Sequence, residues 1–261
     1  PAILIENATA ANRAVNIPEF VNIPSDGILK IDAPATEYFR VVDLASELLK
    51  NRQYEASIPE WRKAVELGPL EAAAHNNLGV ALAETGKVDE AIAHYTRALE
   101  LSPRYPDAHN NLGEALIGKG RISEAIAHFE KAVEVDQQHA GAHANLGATL
   151  ARQGKIDQAI PHLQKAIEYK PDSAYAYKNL GLALAVKGKL EDASRVLEQG
   201  IKLTDGRDVT MLDLLSRIYA ETGRFAEAVQ SARRALAIAT QQNDRKLMEA
   251  LTARIAAYQS R

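Results

Sequence analysis

The sequence predicts an all-α protein: a right-handed superhelical solenoid of antiparallel helix pairs, preceded by an extended N-terminal segment. Three observations predict it. The pair Leu-Gly returns at Leu78-Gly79, Leu112-Gly113, Leu146-Gly147 and Leu180-Gly181, each time 34 residues after the last. Each unit holds two stretches with apolar residues at helical spacing, joined through a second glycine at Gly86, Gly120, Gly154 or Gly188. Aromatic residues make up only 5% of the chain, so its core is packed from small side chains.

Residues 1–37 stand apart from the repeats. Pro18, Pro24 and Pro34 restrict themselves and the residues before them, which predicts an extended arm or linker. A short echo, Val15-Asn16-Ile17-Pro18 and Val21-Asn22-Ile23-Pro24, lies within it. Ile3, Leu4, Ile5, Phe20, Ile28, Leu29 and Ile31 make it too apolar for a solvated linker. It reads as a strap on the first repeats or the remnant of a preceding domain. The alternative is an arm that docks on another subunit. Pro1 in place of an initiator Met points to a fragment of a longer protein, any signal peptide being already absent. The compartment is therefore not read from the sequence.

From residue 38 the repeat pattern governs. Twelve residues after each Leu-Gly glycine comes Ala91, Ala125, Ala159 or Ala193. A larger apolar residue follows, Tyr95, Phe129, Leu163 or Leu197, and then Ala98, Ala132, Ala166 or Gly200. In the unit that begins at Ala72 the two helices are expected at about Ala73–Thr85 and Asp89–Glu100. Gly86 closes the first of them, where a left-handed residue is needed. Gly79 and Ala91 are expected to face each other where the helices cross, allowing an approach of roughly 8–10 Å. Tyr95 fills the wedge between neighbouring repeats.

This small–large pattern with a 34-residue period resembles the tetratricopeptide repeat family. Two weaker copies flank the four clear ones. Leu44, Ala45, Trp61, Ala64 and Pro69 mark the first, and Leu215, Ser216, Tyr219, Gly223, Ala228 and Ala235 the last. Six repeats are therefore expected, at 38–71, 72–105, 106–139, 140–173, 174–207 and 209–242. Residues 243–261 are expected to form a capping helix. Its stripe is Leu247, Met248, Leu251 and Ile255, with Asn243 as N-cap and Asp244 in the first turn.

Several function classes are excluded or disfavoured. The chain has no Cys, which removes disulfides, Cys-ligated zinc, iron–sulfur clusters and thiol catalysis. Thirty-one basic against 34 acidic residues give a net charge of -3, which argues against nucleic acid as a partner. Nothing approaches the apolar length of a membrane span. No cofactor signature and no Ser/His/Asp arrangement is legible, so no enzyme is expected.

Three features imitate sites. His75, His109 and His143 share one repeat position, and His94, His128 and His162 another. Equivalent residues of successive repeats lie too far apart to share a metal whose bonds are about 2.0–2.1 Å, so no metal site is expected. Gly113-Glu-Ala-Leu-Ile-Gly118-Lys119 imitates a phosphate loop but continues into Gly120 and has no strand before it. Asn7-Ala8-Thr9 is a glycosylation sequon only in a secreted context. Pro59 and Pro161, early in second helices, are expected to remove one backbone bond each.

The resemblance implies that first helices line a concave groove. The residue before each Leu-Gly pair is then Asn77, Asn111, Asn145 or Asn179. This ladder resembles the one that holds extended peptides in tetratricopeptide grooves, including that of the O-linked N-acetylglucosamine transferases. A carboxamide offers a donor and an acceptor to any peptide backbone. Neighbouring groove positions hold Asn76, Asn110, Ala144 and Lys178; Val80, Glu114, Ala148 and Leu182; and Glu84, Gly118, Arg152 and Val186. The Lys/Arg clamp for a C-terminal carboxylate is missing, and Tyr175, Lys178 and Arg152 mark the stickier part.

These observations lead to an expected non-catalytic scaffold that binds a protein or an extended peptide in its groove. One alternative is a structural subunit of a larger assembly, self-associating through residues 1–37 and the oppositely charged solenoid ends. Another is the repeat portion of a larger enzyme or redox protein whose active domain precedes Pro1.

Overall fold

The computed structural model describes residues 33–261. The echo, the sequon and most of the N-terminal arm lie outside these residues. Among the described residues thirteen helices follow one another without a strand. They are α1 (Ala33–Lys50), α2 (Tyr54–Leu67), α3 (Ala72–Glu84), α4 (Val88–Leu101), α5 (Pro106–Gly118), α6 (Ile122–Val135) and α7 (Ala140–Arg152). Then come α8 (Ile156–Tyr169), α9 (Ala174–Val186), α10 (Leu190–Leu203), α11 (Val209–Glu221), α12 (Phe225–Gln241) and α13 (Arg245–Gln259). They stack as antiparallel pairs into a right-handed solenoid. The first helix begins at Ala33, so residues 33–37, expected to be extended, are helical. Pro34 is compatible with this, since the first turn leaves its backbone N–H groups without intrahelical partners.

Each pair is built the same way. The first helix ends in a left-handed glycine, φ +81° at Gly86. Gly86 N–H then bonds the Ala83 carbonyl and Lys87 N–H the Leu82 carbonyl at 2.8 Å, which satisfies two orphan carbonyls. The same two bonds close α5, α7, α9 and α11. In α1 the left-handed place is taken by Arg52, φ 58°.

The glycine of each Leu-Gly pair serves a further end besides the expected one. A methyl group on Gly79 would lie 2.5 Å from a Tyr95 ring carbon, and one on Gly113 2.5 Å from Phe129. The glycine makes room for the large residue of its own second helix, rather than only for Ala91. Tyr95, Phe129, Leu163 and Leu197 are thereby fully buried, and each glycine–large pair is one step of a continuous core. Leu78, Leu112, Leu146, Leu180 and Leu215 are buried between repeats, whereas Leu44 in the first pair is 46% exposed.

The pairs are linked by four-residue turns, 68–71, 102–105, 136–139 and 170–173, until α10 and α11, where 204–208 has five. The extra residue is absorbed by two successive left-handed positions, Asp205 (φ 50°) and Gly206 (φ 72°). At the C-terminus the N-cap is Asp244, whose carboxylate accepts from Leu247 N–H at 3.0 Å, and not Asn243. Asn243 takes φ 55° and closes the preceding helix. Leu251 is fully buried, and Leu247, Met248 and Ile255 pack against the core as the stripe requires. Arg254 pairs with Asp213, tying α13 back to α11.

Candidate functional site

First helices touch their counterparts in the next repeat: α3 meets α5, α5 meets α7, α7 meets α9 and α9 meets α11. They therefore form the inner wall of the curve. A cavity of about 350 Å³ opens in this wall across α5, α7 and α9. Its floor is Ala148, Thr149 and the ring of Phe129, and its sides are Glu114, Ile117, Asn145, Arg152 and Tyr175. The cavity exists because Ala148 is small where the neighbouring repeats carry Glu114 and Leu182. Ile117 and Thr149 were not among the expected groove residues. The contrast of Ala148 with its repeat equivalents was the available signal.

The asparagines are engaged with one another rather than standing free. Asn111 Nδ2 donates to Asn76 Oδ1 at 3.0 Å, and Asn145 Nδ2 donates to Asn110 Oδ1 at 2.9 Å. Asn145 Nδ2 also donates to Glu114 Oε1 at 2.7 Å. Asn76 Nδ2 donates to Asn77 Oδ1 at 3.2 Å, and Asn76 and Asn110 are buried. Asn179 Nδ2 donates to the Tyr175 carbonyl one turn earlier. The donors of Asn111 and Asn145 thus sew repeat to repeat. Among the described residues the side-chain carbonyls of Asn111 and Asn145 accept no hydrogen bond, which suits them to the N–H groups of an extended chain.

The charged residues divide in the same way. Lys178 Nζ lies 3.4 Å from Asp208, which also caps α11, so this lysine is anchored to the turn. Arg152 is exposed and has no ion pair among the described residues. Glu114 is reached by solvent but enclosed by the groove walls. This enclosure raises its carboxyl pKa, and the nearby Glu84 adds to the effect, while the Asn145 bond opposes it. Tyr175 is 47% exposed, and partial burial raises its phenol pKa, with the charge of Glu114 contributing. One repeat further on, Leu182 and Val186 are 44% and 64% exposed. Carboxylate, guanidinium, phenol and bare aliphatic surface therefore follow one another along the groove.

The histidines meet in a way the sequence reading missed. Equivalent residues of different repeats do not approach; the two positions within one repeat do. Nδ1 of His75 and His94, of His109 and His128, and of His143 and His162 lie 3.1, 3.0 and 2.9 Å apart. Nε2–H of His75, His109 and His143 donates to the carbonyls of Pro69, Pro103 and Gln137. That assigns the tautomer. The inner Nδ1 is an acceptor, and the outer ring donates its Nδ1–H to it. Burial depresses the pKa of all six rings, with His128 lowered to about 4. The constant offset of 19 residues was the signal.

Models of the tetratricopeptide repeat match residues 42–106, 82–150, 149–187 and 211–246. No curated protein sequence matches the chain. Many solved structures share the fold. YrrB, described as a TPR protein with an unusual peptide-binding site, is 24% identical with a TM-score of 0.60, over 74% of this chain and 97% of that one. PilF of Pseudomonas aeruginosa is 18% identical with a TM-score of 0.73, over 85% of this chain and 100% of that one. MamA is 24% identical with a TM-score of 0.57, over 67% of this chain and 95% of that one.

Proposed function

This chain belongs to the tetratricopeptide repeat family, and from that premise we propose that it is a non-catalytic interaction scaffold that holds an extended segment of a partner protein in its concave groove. One observation carries the reading: the cavity of about 350 Å³ on the inner wall, with Arg152 and Tyr175 exposed at its rim. A shared fold does not by itself assign a function, and the support comes from this surface. Arg152 has no anionic partner among the described residues, and Tyr175 presents a large amphipathic ring, the kind of group enriched in interface centres. Asn111 and Asn145, half-buried one repeat apart, add side-chain acceptors.

The assembly reading rests on residues 1–37, most of which lie outside the described residues, together with the charge of the solenoid ends, and the enzyme-fragment reading rests on a domain before Pro1. The scaffold reading is tested with an aromatic photo-crosslinking amino acid in place of the exposed Tyr175 in the full chain, against one at Lys131 on a second helix. A protein adduct formed from position 175 and not from position 131 is the expected result. Equal adducts from both positions, or none from position 175, would reject the groove.

A further inference from the structure

The groove is patterned in charge, and the pattern specifies a ligand. Enclosure by the groove walls raises the carboxyl pKa of Glu114, the charge of Glu84 adds to it, and Asn145 is the donor bonded to that carboxylate. A carboxylate enclosed with a like charge beside it is stabilised by an incoming cation. The exposed ring of Tyr175 shares the cavity. Arg152, on the next helix across the floor of Ala148, presents the opposite charge. Beyond it, Leu182 and Val186 are bare.

The spacing follows from the helices. Packed helix axes lie roughly 8–10 Å apart, and an extended chain rises about 3.3 Å per residue. One step from α5 to α7, or from α7 to α9, therefore takes about three residues of ligand.

We propose that the groove selects an extended peptide segment with a basic, an acidic and an aliphatic residue at intervals of about three. The basic side chain enters the cavity against Glu114. The acidic one meets Arg152, and the aliphatic one covers Leu182 and Val186. The backbone N–H groups of the segment donate to the carbonyls of Asn111 and Asn145. This deepens the scaffold reading and rests on it.

The test is an unbiased display of random peptides on the intact chain, with affinities of the enriched sequences measured by fluorescence polarisation. Enriched peptides are expected to carry the basic–acidic–aliphatic order, in either chain direction. Exchanging the protein's charges (Glu114→Lys with Arg152→Glu) should weaken them about tenfold and favour peptides with the two charges exchanged. Both residues are exposed, so the variant should keep the circular dichroism of the parent. Enrichment without this order, or binding unmoved by the exchange, would overturn the inference and leave the groove reading intact. No enrichment of any peptide would count against both.

Discussion

Replacing Gly113 by Ala gives the most direct test of how these repeats pack. The new methyl would lie 2.5, 2.8 and 2.9 Å from three carbons of the Phe129 ring. Carbon contacts are comfortable at about 3.5–4.0 Å, so the ring must retreat by about 1 Å. Phe129 is 1% exposed, and a buried ring has little space into which to move. Overpacking of this kind costs about 1–3 kcal/mol. Ala is also a better helix former than Gly by about 1 kcal/mol, which partly masks the cost. Gly118, at the end of the same helix, provides the control, since a methyl there meets no atom within 4 Å. Both variants gain propensity, and only one pushes the ring. Gly113→Ala should therefore be less stable than Gly118→Ala by about 1–3 kcal/mol. Urea unfolding followed by circular dichroism reads this difference from the midpoints at equal slope. If the two variants unfold together, the glycine is not there to admit the ring, and this account of the core is wrong.

Three further outcomes are expected. Asn145→Ala should cost about 1–2 kcal/mol of stability with no ligand present, because it removes bonds to Asn110 and Glu114; an unchanged urea midpoint would contradict the sewing role of the ladder. Leu251→Ala should cost about 2–5 kcal/mol, and hydrogen exchange should show the loss first in α13. Acid should weaken the fold. The six paired histidines have folded pKa values below 6.5, so the unfolded chain binds more protons and stability falls as pH drops below 6.5 towards about 4, the value for His128. His139, raised by Asp107, acts in the opposite sense, with stability present below its unfolded pKa. Replacing His94, His128 and His162 by Gln should flatten the pH dependence of the midpoint between pH 4 and 6.5, and an unaltered slope would remove the histidine pairs from the explanation.

The fold was legible because its demands are local and recur. A left-handed residue after each first helix, glycine in all but the first pair, and a gap opposite each large residue recur wherever the pair is built, so their period shows in one sequence. The capping helix was legible for a similar reason: Leu247, Leu251 and Ile255 describe a face. What escaped depends on how one repeat sits on another. Nothing in the Asn77 position alone says that Asn111 donates to Asn76, a contact across 35 residues and two helices. The extra residue in the turn 204–208 disturbed the count, because Asp208 falls between units of 34, and its left-handed solution at Asp205 is not encoded by any glycine at that position. Arg152 and Lys178 look alike as groove cations in the sequence. Only the position of Asp208 separates the anchored one from the available one.

The bonds that sew the groove also make it a ruler whose length can be edited. Asn145 reaches Asn110 as Asn111 reaches Asn76, so the same residue types meet at these two successive joints. Excising 106–139 would bring Asn145 against Asn76, with Leu146 entering the seat that Leu112 leaves. The shortened chain would keep the new joint matched and lose one step of ligand, together with Glu114. Duplicating the unit would add a step and a second acidic station. A chain built this way can change the length and the charge pattern of what it recognises by whole-unit loss or gain, without a new interface having to arise.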